Sequence, residues 1–217
     1  MRIHAYLYLL FSFLFFNQLS AQQISTADPV SYDFSEALVQ SDDAPDVPGF
    51  ISDHYRRLGI RLKSVVRNHQ NPAEYYVYGK SKVRSNITEF AGLITIDSIN
   101  RIEKAGIIYL ATYWSFQFSE NQTDKHTGCF EGRGEAVFIS GNPVFRTSPI
   151  INVLKDDNTD RIYYGHWITH DAKLKLPCSW GDFSIRNCGD LDVGKESFSP
   201  NPKYYSMGWN EIVDKWW

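Results

Sequence analysis

Residue types alternate along the segment from Lys104 to Ser140, and this pattern constrains the fold of the chain more than any other feature of its sequence. One set of alternate residues, mostly apolar or aromatic, comprises Ile108, Leu110, Thr112, Trp114, Phe116 and Phe118. Successive side chains of a β-strand point to opposite faces, so a period of two is typical of a strand. The residues from Phe130 to Ile139 alternate as well, and the polar run 120–126 between the two stretches suits a turn. The pattern predicts a long β-hairpin.

The two arms of this hairpin can be aligned by matching their apolar faces. A turn centred near Thr123 would pair Phe116 with Phe130 and Trp114 with Gly132. Both apolar faces then lie on the same side of the sheet, which a shift of one residue would abolish. A ring from the partner strand would fill the space that a glycine leaves.

Further alternating stretches occur on both sides of the hairpin, at 60–66, 75–83, 90–96, 161–169 and 173–185. Some eight strands in this order predict a mainly β fold, an antiparallel meander that forms a barrel or a barrel-like sandwich, with short helices at the N-terminal side and at the C-terminus. We expect the aromatic tail after Gly189 to plug one end of the sheet or to cover an edge, with a partner-binding surface as the alternative.

The N-terminus has the pattern of a secretory signal peptide. Arg2 precedes an apolar run of twelve residues that is too short to span a membrane, and the pattern predicts cleavage after Ala21. We therefore expect an exported protein, periplasmic or secreted, with a signal peptide at 1–21 and no membrane span after its removal. Residues 22–48 are acidic and predict a flexible leader, with a short ordered piece near 32–39. Residues 49–217 suit a single β-rich domain.

The net charge of −3 is mildly acidic, which argues against nucleic acid as a partner. The cysteines are Cys129, Cys178 and Cys188, and export permits disulfides. We predict a disulfide between Cys178 and Cys188, which would contribute about 2–3 kcal/mol in the loop-entropy account, with Cys129 left in the sheet. In the alternative, all three are small buried apolar residues.

Six short motifs stand out in the chain, at 78–81, 130–132, 180–186, 189–194, 198–204 and 208–209. Together they resemble motifs of uncharacterised exported proteins of Bacteroidetes-type bacteria. The resemblance spans most of the chain after the signal peptide and implies a bacterial exported protein. These proteins have no known activity, so the resemblance implies no catalytic residues.

Three groups of polar residues could carry chemistry, and each has a simpler interpretation. His166 and His170 would lie about 13 Å apart along a strand, too far to share a metal ion. The stretch 190–194 begins like a calcium loop but lacks the closing glutamate, so its aspartates more simply accept turn amides. Glu131 and Glu135 alternate with an arginine, as in a salt-bridge ladder. None of the motifs of common catalytic sites occurs, and we assign no catalytic residue, metal or cofactor.

These features lead to a first hypothesis of non-enzymatic binding of a small apolar ligand inside the barrel. Its candidate ligand-binding residues are Trp114, Phe116, Phe118, Phe130, Tyr164 and Trp167. The alternatives are a structural or interaction domain of the cell envelope that binds glycans or proteins, and a carboxylate-dependent hydrolase. An apolar cavity of several hundred Å³ would favour the first hypothesis.

Overall fold

The computed structural model describes residues 23–40, 47–104, 106–140, 146–147, 161–182, 184–195 and 198–210. The predicted signal peptide at 1–21 and the predicted helix after Asn210 lie outside these residues.

Ten strands and three short helical segments make up the regular structure of the described residues. The strands are β1 Gln23–Ala27, β2 Val47–Ile51, β3 Arg56–Arg67, β4 Glu74–Val83, β5 Asn86–Lys104, β6 Ile107–Glu120, β7 Gly128–Ser140, β8 Arg146–Thr147, β9 Ile162–Thr169 and β10 Lys175–Gly181. The helix α1 spans Ser35–Leu38, and two 3₁₀ segments span Pro29–Ser31 and Pro202–Met207.

Eight of these strands form a closed ring, in the order β2, β3, β4, β5, β6, β7, β9, β10 and back to β2. Every pairing is antiparallel, and each strand of the ring pairs with the ring strand that follows it in the chain. The last strand, β10, pairs with the first, β2, and closes the ring. The short strand β8 lies between β7 and β9 in the chain but is not part of the ring. The short strand β1 pairs with β5, and the short strand β8 pairs with β7. The prediction of a mainly β chain and an antiparallel meander that closes into a barrel is confirmed.

Aromatic side chains fill the middle of the barrel. Trp114, Phe118 and Trp180 are each at most 1% exposed, and the rings of Tyr163 and Trp180 stack at 5.1 Å. Burying side chains of this size stabilises a fold by about 1.5–3 kcal/mol each, so this cluster is the main source of stability. The inner faces are those that the alternation predicts.

The hairpin of β6 and β7 differs from its predicted register by two residues. Phe116 pairs with Gly132 and Trp114 with Gly134, because the turn is centred on Asp124. A Cβ on Gly134 would lie 2.1 Å from Nε1 of Trp114, so the indole occupies the space above this glycine. A two-residue shift preserves the faces, which explains why the predicted faces are right although the register is wrong.

The segment before β2 closes one end of the barrel. Phe34 and Leu38 are fully buried, and the ring of Phe34 lies 5.1 Å from that of Phe138. The side-chain oxygen of Gln40 accepts a hydrogen bond from the backbone amide of Leu62, and the backbone amide of Gln40 donates one to the carbonyl of Leu62. The sequence predicts a leader with a short ordered piece near 32–39, and the buried residues Phe34, Ala37 and Leu38 lie within that piece.

Arg161 holds this N-terminal segment in place. Its Nη1 lies 3.2, 3.0 and 3.2 Å from the carbonyl oxygens of Ala37, Leu38 and Val39, at the end of α1. Its Nε and Nη2 donate to the two carboxylate oxygens of Asp182 at 2.8 and 2.9 Å. A bidentate arginine–carboxylate pair is geometrically specific, so it fixes the guanidinium under the helix end.

The aromatic tail covers the outer surface of the barrel. Its Trp209 packs with Phe50, Ile185 and Leu191 in a cluster separate from the main core. The indole Nε1 of Trp209 donates a 2.6 Å hydrogen bond to the carbonyl of Tyr55. The sequence predicts that the tail plugs one end of the sheet or covers an edge. The described part of the tail instead covers the outer face of the sheet, and the N-terminal segment is the plug.

The predicted disulfide between Cys178 and Cys188 is wrong. All three cysteines lie in the described part of the chain, and all are free. Cys178 packs in the main core, whereas Cys188 packs against the outer cluster around Trp209. The wall of the barrel therefore separates the two side chains, although they are close in sequence.

Candidate functional site

A cavity of about 410 Å³ opens at the end of the barrel opposite α1. Residues from four connections contribute to it: β2–β3, β4–β5, β6–β7 and β9–β10. In a meander these alternate connections lie at the same end. The volume falls in the range of about 300–1,000 Å³ that is usual for sites of small molecules.

The wall of this cavity is largely apolar. The apolar residues that line it are Ile51, Val83, Phe130, Trp167, Leu174 and Leu176. Five of them come from β2, β4, β7, β9 and β10, and Leu174 comes from the β9–β10 connection, so the cavity is a continuation of the barrel interior. Trp167 is only 8% exposed, whereas Leu174 is 46% exposed at the rim. Such a wall would bind an apolar group by removing it from water.

A buried carboxylate lies at the inner end of the cavity. Glu120 is 4% exposed and ends β6, on the face that also carries Trp114 and Phe118. One of its oxygens, Oε1, accepts hydrogen bonds from the hydroxyls of Ser81 and Thr88. Its other oxygen, Oε2, accepts one from the amide of Gly128 and one from the indole of Trp167, both at 2.9 Å.

These four hydrogen bonds make Glu120 a junction of the barrel. Its donors come from β4, β5, β7 and β9, so one side chain joins five of the eight ring strands. A carboxylate offers about four acceptor sites, and four donors occupy them. Glu120 therefore satisfies buried polar groups of the barrel itself and has little capacity left for a ligand.

Positive groups lie around the mouth of the cavity. Arg56 begins β3 on the same face as the buried Leu58 and Ile60, which turns its side chain toward the cavity. Its Nε is buried and has no hydrogen-bond partner in the described part of the chain. Arg84 and His126 also line the cavity, from exposed turns. Glu120 is the one carboxylate among the described lining residues, so the mouth is positive on balance.

Two of the six predicted ligand-binding residues line the cavity, namely Phe130 and Trp167. Trp114, Phe116 and Phe118 lie deeper, packed within the aromatic core. Tyr164 is on the outer surface, where the guanidinium of Arg186 lies 5.2 Å from its ring centroid. It lines a separate outer hollow of about 340 Å³ together with His166. The alternation assigns the inner faces but gives no depth along the barrel.

Four polar residues of the site were missed by the sequence analysis: Arg56, Ser81, Thr88 and Glu120. Each lies on an inner face, and the spacing alone could have placed them there. Glu120 follows Trp114 and Phe118 at even spacing, and Ser81 follows the inward Val77 in the same way. The sequence pattern places Glu120 in the turn 120–126, and its first alternating stretch begins at residue 60, after Arg56, so neither residue is expected on an inner face.

The other candidate groups have structural partners. Glu131 pairs with Lys175 of β10 at 3.7 Å and Glu135 pairs with Arg186 beyond β10, so both carboxylates have partners outside β7 and not the arginine between them. Asp192 accepts 2.9 Å hydrogen bonds from the amides of Gly194 and Ser199, as the simpler interpretation of this stretch predicts. Among the described residues, no group of three or more histidines, cysteines and acidic residues could hold a metal ion.

The described part of the chain contains no helix that is both long and apolar enough to cross a membrane. Comparisons of the chain with protein-family models, with curated proteins and with solved structures found no match.

Proposed function

We propose that this is an exported, non-enzymatic protein that binds a small molecule with an apolar body at the open end of its barrel. The observation that carries this proposal is the 410 Å³ cavity with a mainly apolar wall. The signal-peptide pattern at 1–21 supports export.

The closed core limits where the ligand can bind. The interior of an eight-stranded barrel is only just wide enough for side chains, and here Trp114, Phe116 and Trp180 occupy its middle. The ligand therefore binds near the mouth and against Trp167, rather than along the whole axis.

The arrangement of carboxylates favours binding over hydrolysis. Glycoside hydrolysis by the usual route requires two carboxyl groups on opposite sides of the scissile bond. Glu120 is the one carboxylate that the described residues bring to the cavity, and its oxygens already accept four hydrogen bonds. A carboxylate-dependent hydrolase would need an acceptor that is free to take a proton.

A second candidate function is recognition of glycans by the outer surface. Tyr76 and Tyr78 are 54% and 39% exposed, two residues apart on the outer face of β4. Exposed aromatic rings can pack against the apolar faces of sugars. Loss of binding to a glycan array when both tyrosines are changed to alanine would favour this candidate over the cavity.

Binding of a neutral apolar fluorophore tests the proposed function. N-phenyl-1-naphthylamine should become fluorescent with the full chain, and Leu174→Trp at the rim should reduce its affinity about tenfold by filling the cavity. Leu93→Trp is a matched control, because Leu93 is 36% exposed on β5 and does not line the cavity. Absence of binding, or equal effects of the two variants, would contradict the proposal. Native mass spectrometry of the protein from its own host would then identify a retained ligand.

A further inference from the structure

The strongest unexplained feature of the cavity is the guanidinium of Arg56. Its Nε is buried and has no hydrogen-bond partner among the described residues, although arginine is charged at any physiological pH and offers five donors. Buried donors are nearly always paired, and an exception calls for an explanation. A group that enters the cavity from outside would supply the missing acceptor.

We propose that the ligand is an amphipathic acid whose carboxylate pairs with Arg56 while its apolar body lies against Phe130 and Trp167. This inference rests on the proposed function and names the class of its ligand. A carboxylate matches the planar fork of a guanidinium, and the two can form parallel hydrogen bonds.

The alternative partner of Arg56 within the cavity would be Glu120. That carboxylate accepts instead from Ser81, Thr88, Gly128 and Trp167, which occupy both of its oxygens. The carboxylate of Glu120 therefore interacts with donors of the barrel itself, and the guanidinium of Arg56 is available to pair with a ligand. The same occupation disfavours a cationic ligand, because an ammonium group would have to displace one of these four donors.

A second arginine favours an anion over a neutral ligand. Arg84 lines the cavity from the exposed turn between β4 and β5. An exposed cation contributes little to affinity by itself, but it raises the local concentration of anions and their rate of binding. Phe130 lies on β7, across the ring from β3, and Trp167 lies on the adjacent strand β9, so these rings can contact the uncharged part of the ligand.

Three probes with the same alkyl chain test this inference: octanoate, 1-octanol and octylammonium, each competing with N-phenyl-1-naphthylamine on the full chain. We expect octanoate to bind about ten- to hundredfold more tightly than 1-octanol, the range that a charge-assisted hydrogen-bond pair gives. Arg56→Met should remove this preference and leave the affinity for 1-octanol unchanged. Arg56→Lys should retain part of it, because it keeps the charge without the fork.

Arg133→Met is the matched control, because Arg133 is an exposed arginine of β7 that does not line the cavity. It should bind all three probes as the unchanged protein does. Equal affinities for octanoate and 1-octanol, tighter binding of octylammonium, or retained preference in Arg56→Met would each overturn the inference. If the fluorophore itself does not bind, the proposed function fails as well, so the two failures are distinguishable. Thermal unfolding of each variant checks that its fold is intact.

Discussion

The indole Nε1 of Trp167 donates a 2.9 Å hydrogen bond to Oε2 of Glu120, which links β9 to β6 across the intervening strand β7. Both side chains also line the cavity, so the junction that holds this end of the barrel forms part of the proposed ligand site. A change to either residue therefore acts on stability as well as on the shape of the cavity.

Removal of the carboxylate should destabilise the barrel strongly. Glu120→Ala leaves the buried amide of Gly128 and the indole of Trp167 without an acceptor. The hydroxyls of Ser81 and Thr88 lie 2.7 Å apart, so one of them can donate to the other. We expect a loss of about 3–5 kcal/mol in the free energy of unfolding. Glu120→Gln should cost less, because its amide oxygen can serve Gly128 and Trp167 while the hydroxyls of Ser81 and Thr88 accept from its NH₂ group. Urea denaturation measures both losses. Glu89→Gln on the exposed face of β5 is the control and should change stability little. A small effect of Glu120→Ala would contradict the assignment of Glu120 as a junction.

Packing of Trp114 over Gly134 can be tested by adding a single methyl group. Gly134→Ala places a Cβ within 2.1 Å of the indole Nε1, and we expect a loss of about 1–3 kcal/mol in stability. In a Trp114→Phe background the smaller ring should relieve the clash, so the two losses should not add. Additive losses would show that the two residues do not contact each other.

The free thiols can be counted with a chromogenic disulfide reagent. Burial raises the pKa of the Cys178 thiol, and the side chain is 2% exposed, so Cys178 should react only after unfolding. Cys129 and Cys188 are each partly exposed and should react in the native protein. Dithiothreitol should leave the melting temperature unchanged. A lower melting temperature after reduction would point to a disulfide.

Loss of the Arg161 guanidinium should release the plug. Arg161→Met removes the donors to the carbonyls of Ala37, Leu38 and Val39 and leaves Asp182 without its bidentate partner. Limited proteolysis followed by mass spectrometry should then show faster cleavage between residues 23 and 46.

The matched control for this variant is Arg101→Met, because Arg101 forms an exposed ion pair with Glu103 at 2.9 Å. Exposed pairs of this kind contribute about 0–1 kcal/mol, so its loss should not change the cleavage pattern. Equal cleavage in both variants would mean that the core contacts of Phe34 and Leu38 hold the segment without Arg161.

Alternation of residue types predicts the inner faces of the barrel and therefore most of its core. It does not predict the register of β6 and β7, because shifts of two residues leave the same side chains inside. The contact that distinguishes the two registers is between Trp114 and Gly134, which are far apart in sequence and become neighbours only in the folded sheet. Periodicity carries no such information.

A period of two likewise does not predict how deep a residue lies along the barrel axis. Trp114 and Trp167 both face inward, but one is sealed in the core and the other borders the cavity. The role of the plug was missed for a different reason. The many acidic residues between 22 and 48 indicate a flexible leader with only a short ordered piece near 32–39, whereas three apolar residues, Phe34, Ala37 and Leu38, are enough to bind it to the barrel end.

The pairing of β2 with β10 also dictates the order in which the chain can fold. Each of the other ring pairings joins ring strands that are consecutive in the chain, with only β8 between β7 and β9. This pairing instead brings Ile51 against Cys178 from the far end of the domain. Contacts between distant parts of a sequence form late and slow folding, because a long loop must close first. A chain that emerges from its N-terminus can build the meander progressively, but the cavity cannot take its final shape until Gly181 has appeared. The open end of the barrel is therefore completed only when the last strand of the ring pairs with the first.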